Sequence, residues 1–299
     1  MYNKQLETFI QVADLGSFSK AADAMYISPT AVMKQINLLE NDLGFPLFKR
    51  TNRGLTLTEA GKSIYKDAKH IIRYSRESLN RARNAMKKTD QIIRIGTSLM
   101  TPAKFITDLW PKIHQECPNL KFQIVSFENT PENAREILKN LGQSIDIVVG
   151  AFDESFLKSR GCEALKLEDE PIYCAVSMNN PLVEKDRLEV TDLYGENLMI
   201  IDRGWNKHMD DLRDDIWENH SEINVVDFSF YSVNEFNRCE QDGNILLVVK
   251  PWANVHPMFK NIPVNWQHTL PFGILHSPKP SEQVALLLDT VAKVLKIDN

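Results

Sequence analysis

Residues 17–61, SFSKAADAMYISPTAVMKQINLLENDLGFPLFKRTNRGLTLTEAG, restrict the fold of this chain more than any other stretch. Just before them Leu6, Phe9, Ile10 and Ala13 recur at helical spacing, and Gly16 offers the left-handed residue on which helices commonly end. Ser17 or Ser19 can cap a second helix whose Ala21, Ala22 and Met25 face inward, and the two alanines allow a neighbouring helix to approach closely. After a turn at Tyr26 and Ile27, Ser28-Pro29 supplies an N-cap followed by proline at the first helical position. Val32, Ile36, Leu39 and Leu43 then step by 4, 3 and 4 residues, which makes one buried stripe. Thr30, Ala31, Met33, Lys34, Gln35 and Asn37 are left outside it, and Gly44 ends the helix.

Two helices joined by a tight turn, the second carrying small and polar groups on its first turns, make a helix-turn-helix. A DNA major groove about 12 Å wide admits one such helix, with long side chains reaching base edges or phosphates. Downstream, KRTNRGLTLT reads as a two-stranded wing turning at Asn52-Arg53-Gly54, with Lys49, Arg50 and Arg53 placed to meet backbone phosphates. Charge agrees. Residues 1–90 carry 15 Lys and Arg against 9 Asp and Glu, whereas residues 91–299 carry 20 against 31. A basic front on an acidic body is the distribution expected when only the front meets a polyanion.

These residues closely resemble the N-terminal domain of LysR-type transcriptional regulators. The likeness rests on Phe9, Val12, Gly16-Ser17-Phe18-Ser19, Ala21-Ala22, Ser28, Ala31-Val32, Gln35-Ile36, Leu39-Glu40, Leu43-Gly44, Leu47-Phe48, Arg50 and Leu57-Thr58-Glu59-Ala60-Gly61. Where the family usually shows Gln-Ser-Ala-Val-Ser-Arg-Gln, this chain has Pro29, Thr30, Ala31, Val32, Met33, Lys34 and Gln35, so its operator cannot be carried over from relatives. The resemblance implies double-stranded promoter DNA as partner, with Ser28, Thr30, Ala31, Lys34, Gln35, Arg50 and Arg53 as contacts. It further implies a homodimer or homotetramer, a small-molecule effector, and RNA polymerase as a candidate partner.

Thr58 can cap a long helix from about residue 59 to 88, with Ile64, Ala68, Ile71, Ser75, Leu79, Ala82 and Met86 as a near-heptad stripe. Thirty residues would run about 45 Å, longer than a small domain covers, so pairing with a second copy is expected; packing on its own domain is the alternative. Lys87-Lys88-Thr89-Asp90 follows as a polar joint. From Ile92 strands alternate with helices: IIRIG, a helix near 101–115, KFQIVSF, a helix near 131–140, IDIVVG, then IYCAV, LMII, VVDFSF, ILLVV and PFGILHS with helices between and after. Such alternation predicts parallel sheets covered by helices.

The expected fold class is α/β: an N-terminal winged helix-turn-helix (1–58), a linker and dimerisation helix (59–89), and a two-lobed effector-binding domain (90–299) resembling periplasmic binding proteins. Lobe I would hold about 90–161 and 267–299, and lobe II about 162–266. Ligands of such sheets sit beyond the carboxyl ends of strands. Ser98, Met100, Thr101, Thr130, Arg203 and Ser232 are therefore the candidate effector contacts, and capped helix starts at Thr101-Pro102 and Thr130-Pro131 suit an anion. Capping alone also accounts for Thr101 and Thr130, and Arg203 can instead pair with the acids of 210–218.

No catalytic residue, cofactor or metal is expected. The chain has no GxSxG, GxxxxGK[ST] or strand-end GxGxxG motif, and its seven histidines form no HxxxH or HxH pair. The four cysteines form no CxxC pair, so buried inert thiols are expected, with a Cys162–Cys174 redox pair as the alternative. No run of 18 apolar residues occurs and the N-terminus has no apolar signal core, so a cytoplasmic protein without a membrane partner is expected.

Overall fold

The computed structural model describes residues 2–51, 54–86 and 92–297, some of them by their backbone alone. Two compact units are distinguished, Met1–Lys88 and Thr89–Asn299.

In the first unit α1 (Gln5–Leu15), α2 (Phe18–Met25) and α3 (Pro29–Leu43) precede a hairpin of β1 (Phe48–Thr51) and β2 (Gly54–Leu57), and α4 (Glu59–Met86) follows. Their starts are the ones the local chemistry favours. Ser17 Oγ accepts from the Lys20 N–H, Ser28 Oγ accepts from the Ala31 N–H at 3.2 Å, and Pro29 takes the first helical position. Gly16 and Gly44 end α1 and α3 in the left-handed region. The core is Phe9, Val12, Ala21, Ala22, Val32, Ile36, Leu39 and Leu47, with Phe9 and Phe48 edge to face at 5.4 Å. Glu40 fastens the end of α3 to the hairpin, its carboxylate accepting from the N–H groups of Leu47 at 2.6 Å and Phe48 at 3.2 Å.

Thr58 caps α4 through the Gly61 N–H at 2.9 Å. The expected seam along this helix divides. Ala68 and Ser75 turn inward together with Ile72, while Ile71 and Leu79 remain exposed beside Tyr74. The inward set holds α1, where Phe9 meets Tyr65 edge to face and Glu7 pairs with Arg76 at 2.7 Å. A 28-residue helix with 3.6 residues per turn therefore carries two stripes, one for its own domain and one left outside. Met86 and the joint at 87–90 lie outside the described side chains and residues.

The second unit runs β3 (Ile92–Thr97), α5 (Lys104–Glu116), β4 (Lys121–Ser126), α6 (Pro131–Lys139), β5 (Ile147–Ala151), α7 (Glu154–Arg160), β6 (Glu163–Ser177), β7 (Asn197–Ile201), α8 (Lys207–Asn219), β8 (Asn224–Phe228), α9 (Val233–Asp242), β9 (Ile245–Val249), β10 (Phe259–Pro263), β11 (Thr269–His276) and α10 (Glu282–Leu295). Strand order is β4-β3-β5-β11-β6-β9-β7-β8, with β10 also on β6. The βαβ strands pair in parallel, β3 with β4 and β5, β7 with β8 and β9, whereas β6, β10 and β11 run antiparallel to their neighbours. All five residues of β9 are buried, as a strand covered on both faces requires.

β6 is one 15-residue strand shared by both lobes. Its first part pairs with β11 in lobe I and its second with β9 and β10 in lobe II, so IYCAV is the far end of a longer strand rather than a separate one. Each lobe has its own apolar core, one around Ile95, Ile106, Ile147 and Leu287, the other around Cys174, Leu198, Leu246 and Phe236. Two elements, α7 and β10, are additional to the sequence expectation.

Candidate functional site

In the first unit the exposed surface of α3 is set by what its buried stripe leaves over. Ser28, Thr30, Lys34 and Asn37 are exposed, and Ala31, Met33 and Gln35 are half-buried. Gln35 is not wholly free, because its side-chain oxygen accepts from the hydroxyl of the buried Thr8, leaving its amide N–H groups as donors. Tyr26, in the turn ahead of α3, is left-handed with φ 56° and almost fully exposed. In the hairpin Arg50 pairs by its backbone with Leu55; its side chain, and all of Arg53, lie outside what is described. Thr30, Lys34 and Asn37 thus form one uncovered polar stripe on a helix anchored by Val32, Ile36 and Leu39, a shape and chemistry that suit a DNA groove.

In the second unit the carboxyl ends of β3, β4, β7 and β8 face one another across the lobes. Ser98 and Thr101 satisfy each other, with hydroxyls 2.7 Å apart and reciprocal backbone hydrogen bonds of 3.3 Å. Thr101 is therefore not the cap of α5. That helix starts at Lys104, two residues later than the capped start expected from Thr101-Pro102, and Thr97 Oγ1 accepts from the Ala103 N–H instead. Thr130 does cap α6, accepting from the Asn133 N–H at 3.2 Å. Arg203 is exposed and pairs with Asp214, and this contact holds the Asp214 carboxyl below its ordinary value. Ser232 precedes α9 without a side-chain cap bond and edges an open depression with Leu99 and Asn129. Met100 is buried in the lobe II core although it belongs to the β3 loop.

Several hydrogen bonds tie the lobes, His268 with Asp215 at 3.0 Å among them, and three more lie about the cleft. Asn129 Nδ2 donates to the Tyr231 carbonyl at 2.8 Å, Trp252 Nε1 donates to the Met100 carbonyl at 2.7 Å, and the Lys207 N–H donates to Asp153 Oδ2 at 2.6 Å. Between them lies a cavity of about 250 Å³, reached by Met100, Thr101, Phe156, Trp205, Tyr231 and Trp252, with Arg135 and Arg160 on its lobe I side. Tyr231 meets Trp252 at a tilt, ring centres 4.5 Å apart, and Trp205 edge to face at 5.6 Å, and burial pushes its hydroxyl well above the usual tyrosine range. Sequence reasoning missed Arg135, Arg160 and Trp252. No motif or periodicity singles them out, since they meet only through the packing of α6, α7 and the segment after β9.

The sequence profile described as "Bacterial regulatory helix-turn-helix protein, lysR family" matches residues 3–62, and that of the "LysR substrate binding domain" matches residues 88–233. The chain belongs to the LysR family of transcriptional regulators. As a LysR-family protein it is a regulator rather than an enzyme. It is 25% identical over 206 residues to YybE, an uncharacterized HTH-type transcriptional regulator of Bacillus subtilis, covering 69% of this chain and 68% of YybE. It is 24% identical over 205 residues to the DNA-binding transcriptional dual regulator OxyR of Escherichia coli, covering 67% of this chain and 64% of OxyR. Its fold is that of CbnR, a LysR family transcriptional regulator, at TM-score 0.65 and 20% identity over 98% of this chain and 99% of CbnR. CbnR bound to its target DNA gives a TM-score of 0.61 at the same identity.

Proposed function

We propose that this LysR-family regulator works in the cytoplasm and binds promoter DNA as a homodimer or homotetramer. In this reading α3 lies in the major groove, with Ser28, Thr30, Ala31, Lys34 and Gln35 toward bases and phosphates and Arg50 and Arg53 on the flanking backbone. The exposed stripe of α4 at Ile71 and Leu79 pairs two copies, so two recognition helices meet one symmetric site. A small molecule in the interlobe cavity shifts the balance between lobe arrangements, and DNA bending and polymerase contact follow. Of the sequence-derived contacts, Met100 and Thr101 line that cavity and Ser232 edges the neighbouring depression, whereas Ser98, Thr130 and Arg203 are not among the lining residues of either. The observation that carries the reading is the uncovered Thr30–Lys34–Asn37 stripe on a helix whose opposite face is fully buried. In the described residues no helix is long and apolar enough to cross a membrane.

The test is fluorescence anisotropy with a promoter fragment at rising salt. Lys34→Ala is expected to weaken binding and to lower the salt slope by about 0.9 per lost phosphate contact, hence about 2 for a dimer. A slope and affinity equal to the parent's would refute the placement of α3.

Some relatives are named hydrogen peroxide-inducible genes activators, but in this chain burial disfavours the thiolate at Cys162 and Cys239. Cys162 is buried, and burial pushes its thiol up to about 11; Cys239 is likewise pushed up to about 12. A thiolate, not a thiol, is what an oxidant attacks. Cys162 just precedes β6 and Cys174 lies within it twelve residues on, about 40 Å along the strand at about 3.3 Å per residue, a separation too great for a disulfide.

A further inference from the structure

We propose that the interlobe cavity takes an anion with an aromatic body, its carboxylate-type charge held by Arg135 and Arg160 on lobe I and its ring against Trp205 and Tyr231 on lobe II. The inference rests on the reading above that a small molecule occupies this cleft, and it names that molecule's chemical class.

The charge comes first. Arg94, Arg203, Arg213 and Arg238 all have acidic partners in the α/β region. Among the described residues Arg135, Arg160 and the exposed Arg187 join no such pair, and of these three only Arg135 and Arg160 line the cavity, although residues 91–299 hold 31 acids against 20 Lys and Arg. Acids are abundant, yet none is placed here. Arg160 lies over the Phe156 ring at 5.3 Å, and its Nε is buried without an acceptor. Burial, and then the like charge of Arg135, lower its hold on its proton. Two guanidiniums brought together at the mouth of an apolar cavity, one with an unmet donor, are favourable once an anion bridges them, and a carboxylate matches the planar fork.

The opposite wall sets the body. Tyr231 spends its hydroxyl on the Leu247 carbonyl at 2.8 Å, and Trp252 spends its N–H on Met100. With those groups spent, Tyr231 and Trp252 present ring faces and edges to the cavity, and aromatic pairs gain most from such faces. The cavity, near 250 Å³, lies at the small end of ligand sites, about 300 Å³ and upward, so one ring with a short acidic arm fits. The capped helix starts are poor rivals for the charge: Ser98 and Thr101 engage each other, Thr130 is spent on Asn133, and Arg203 on Asp214.

The experiment is calorimetric titration and thermal shift of the full-length protein with benzoate, phenylacetate and trans-cinnamate, each against its neutral amide. At least one acid is expected to bind and raise the melting temperature, with its amide weaker by about tenfold or more. Arg160→Met should weaken that acid by about tenfold, Arg160→Lys should recover most of it, and Arg187→Gln, at an exposed arginine outside the cavity lining, should leave it unchanged. Unliganded Arg160→Met should melt no lower than the parent, since an unpaired charge has been removed. Amides that bind as well as acids, or an Arg160→Met protein that binds like the parent, overturn the proposal. If the acids are silent while glucose, glycerol or the amides bind, the charge assignment fails and the effector reading stands. Silence from all of these compounds, with salt-sensitive DNA binding intact, sinks the effector reading and this inference with it.

Discussion

Asp153 joins the two lobes through one carboxylate, and its removal has a magnitude that follows from its contacts. The side chain is 7% exposed. Oδ1 accepts from the Phe156 N–H at 2.6 Å and so caps α7 in lobe I; Oδ2 accepts from the Lys207 N–H at 2.6 Å, the first residue of α8 in lobe II. Asp153→Ala removes an N-cap, worth about 1 kcal/mol, and takes the acceptor from a second helix-start N–H, that of the exposed Lys207, worth about 0.5–1.5 kcal/mol. The expected loss is thus about 1.5–2.5 kcal/mol. Asp153→Asn keeps one acceptor oxygen and turns an NH2 toward the other donor, so it preserves one of the two bonds and should fall between. All five tryptophans lie between residues 110 and 266, so urea unfolding followed by tryptophan fluorescence reads this region and not the DNA-binding unit. Amide exchange at Lys207 should speed up along with the loss. An Asp153→Ala protein within about 0.5 kcal/mol of the parent, with Lys207 still protected, would refute the bridge.

Two other perturbations follow from single contacts. Glu170 is buried, and burial first, with the neighbouring Glu168 second, pushes its carboxyl from 4.5 up to about 7. The native state then holds this proton more tightly than the unfolded chain, so stability falls as pH rises from about 4.5 to 7 and levels off above; Glu170→Gln should flatten that slope, gaining at most about 3 kcal/mol at pH 8 and nothing at pH 4.5, as read from urea midpoints. Gly61→Ala would place a Cβ 2.1 Å from the Leu47 carbonyl oxygen, which is already held by the Thr58 N–H at 2.9 Å. Alanine normally stabilises a helix by about 1 kcal/mol over glycine, so a circular-dichroism melt should show the opposite sign here, a loss of about 2 kcal/mol or more, and a gain would disprove the close approach.

Much of the DNA-binding unit was legible because its signals are local. A cap acts over three residues and a buried stripe over four, so Ser28, Pro29, Val32, Ile36, Leu39 and Gly44 announce their helix without any distant partner. The alternation of strand and helix beyond Ile92 was legible for the same reason. Where two local solutions competed, tertiary packing chose: Thr97 rather than Thr101 meets the start of α5, and α4 buries Ile72 beside α1 while Ile71 stays outside.

The interlobe site was legible as a place and not as a constellation. Its loops follow from strand ends, a rule of topology. Its charge depends on Arg135 and Arg160, 25 residues apart on α6 and α7, and its aromatic wall on Trp205, Tyr231 and Trp252 from three further segments. Contacts between near neighbours in the chain specify a recognition helix, its caps and an α/β body. Long-range packing selects which cavity-lining arginines stay unpaired, makes Asp153 a bridge between the lobes and lets β6 serve both, because the pairing of β6 with β11 and β9 carries no signal within either segment.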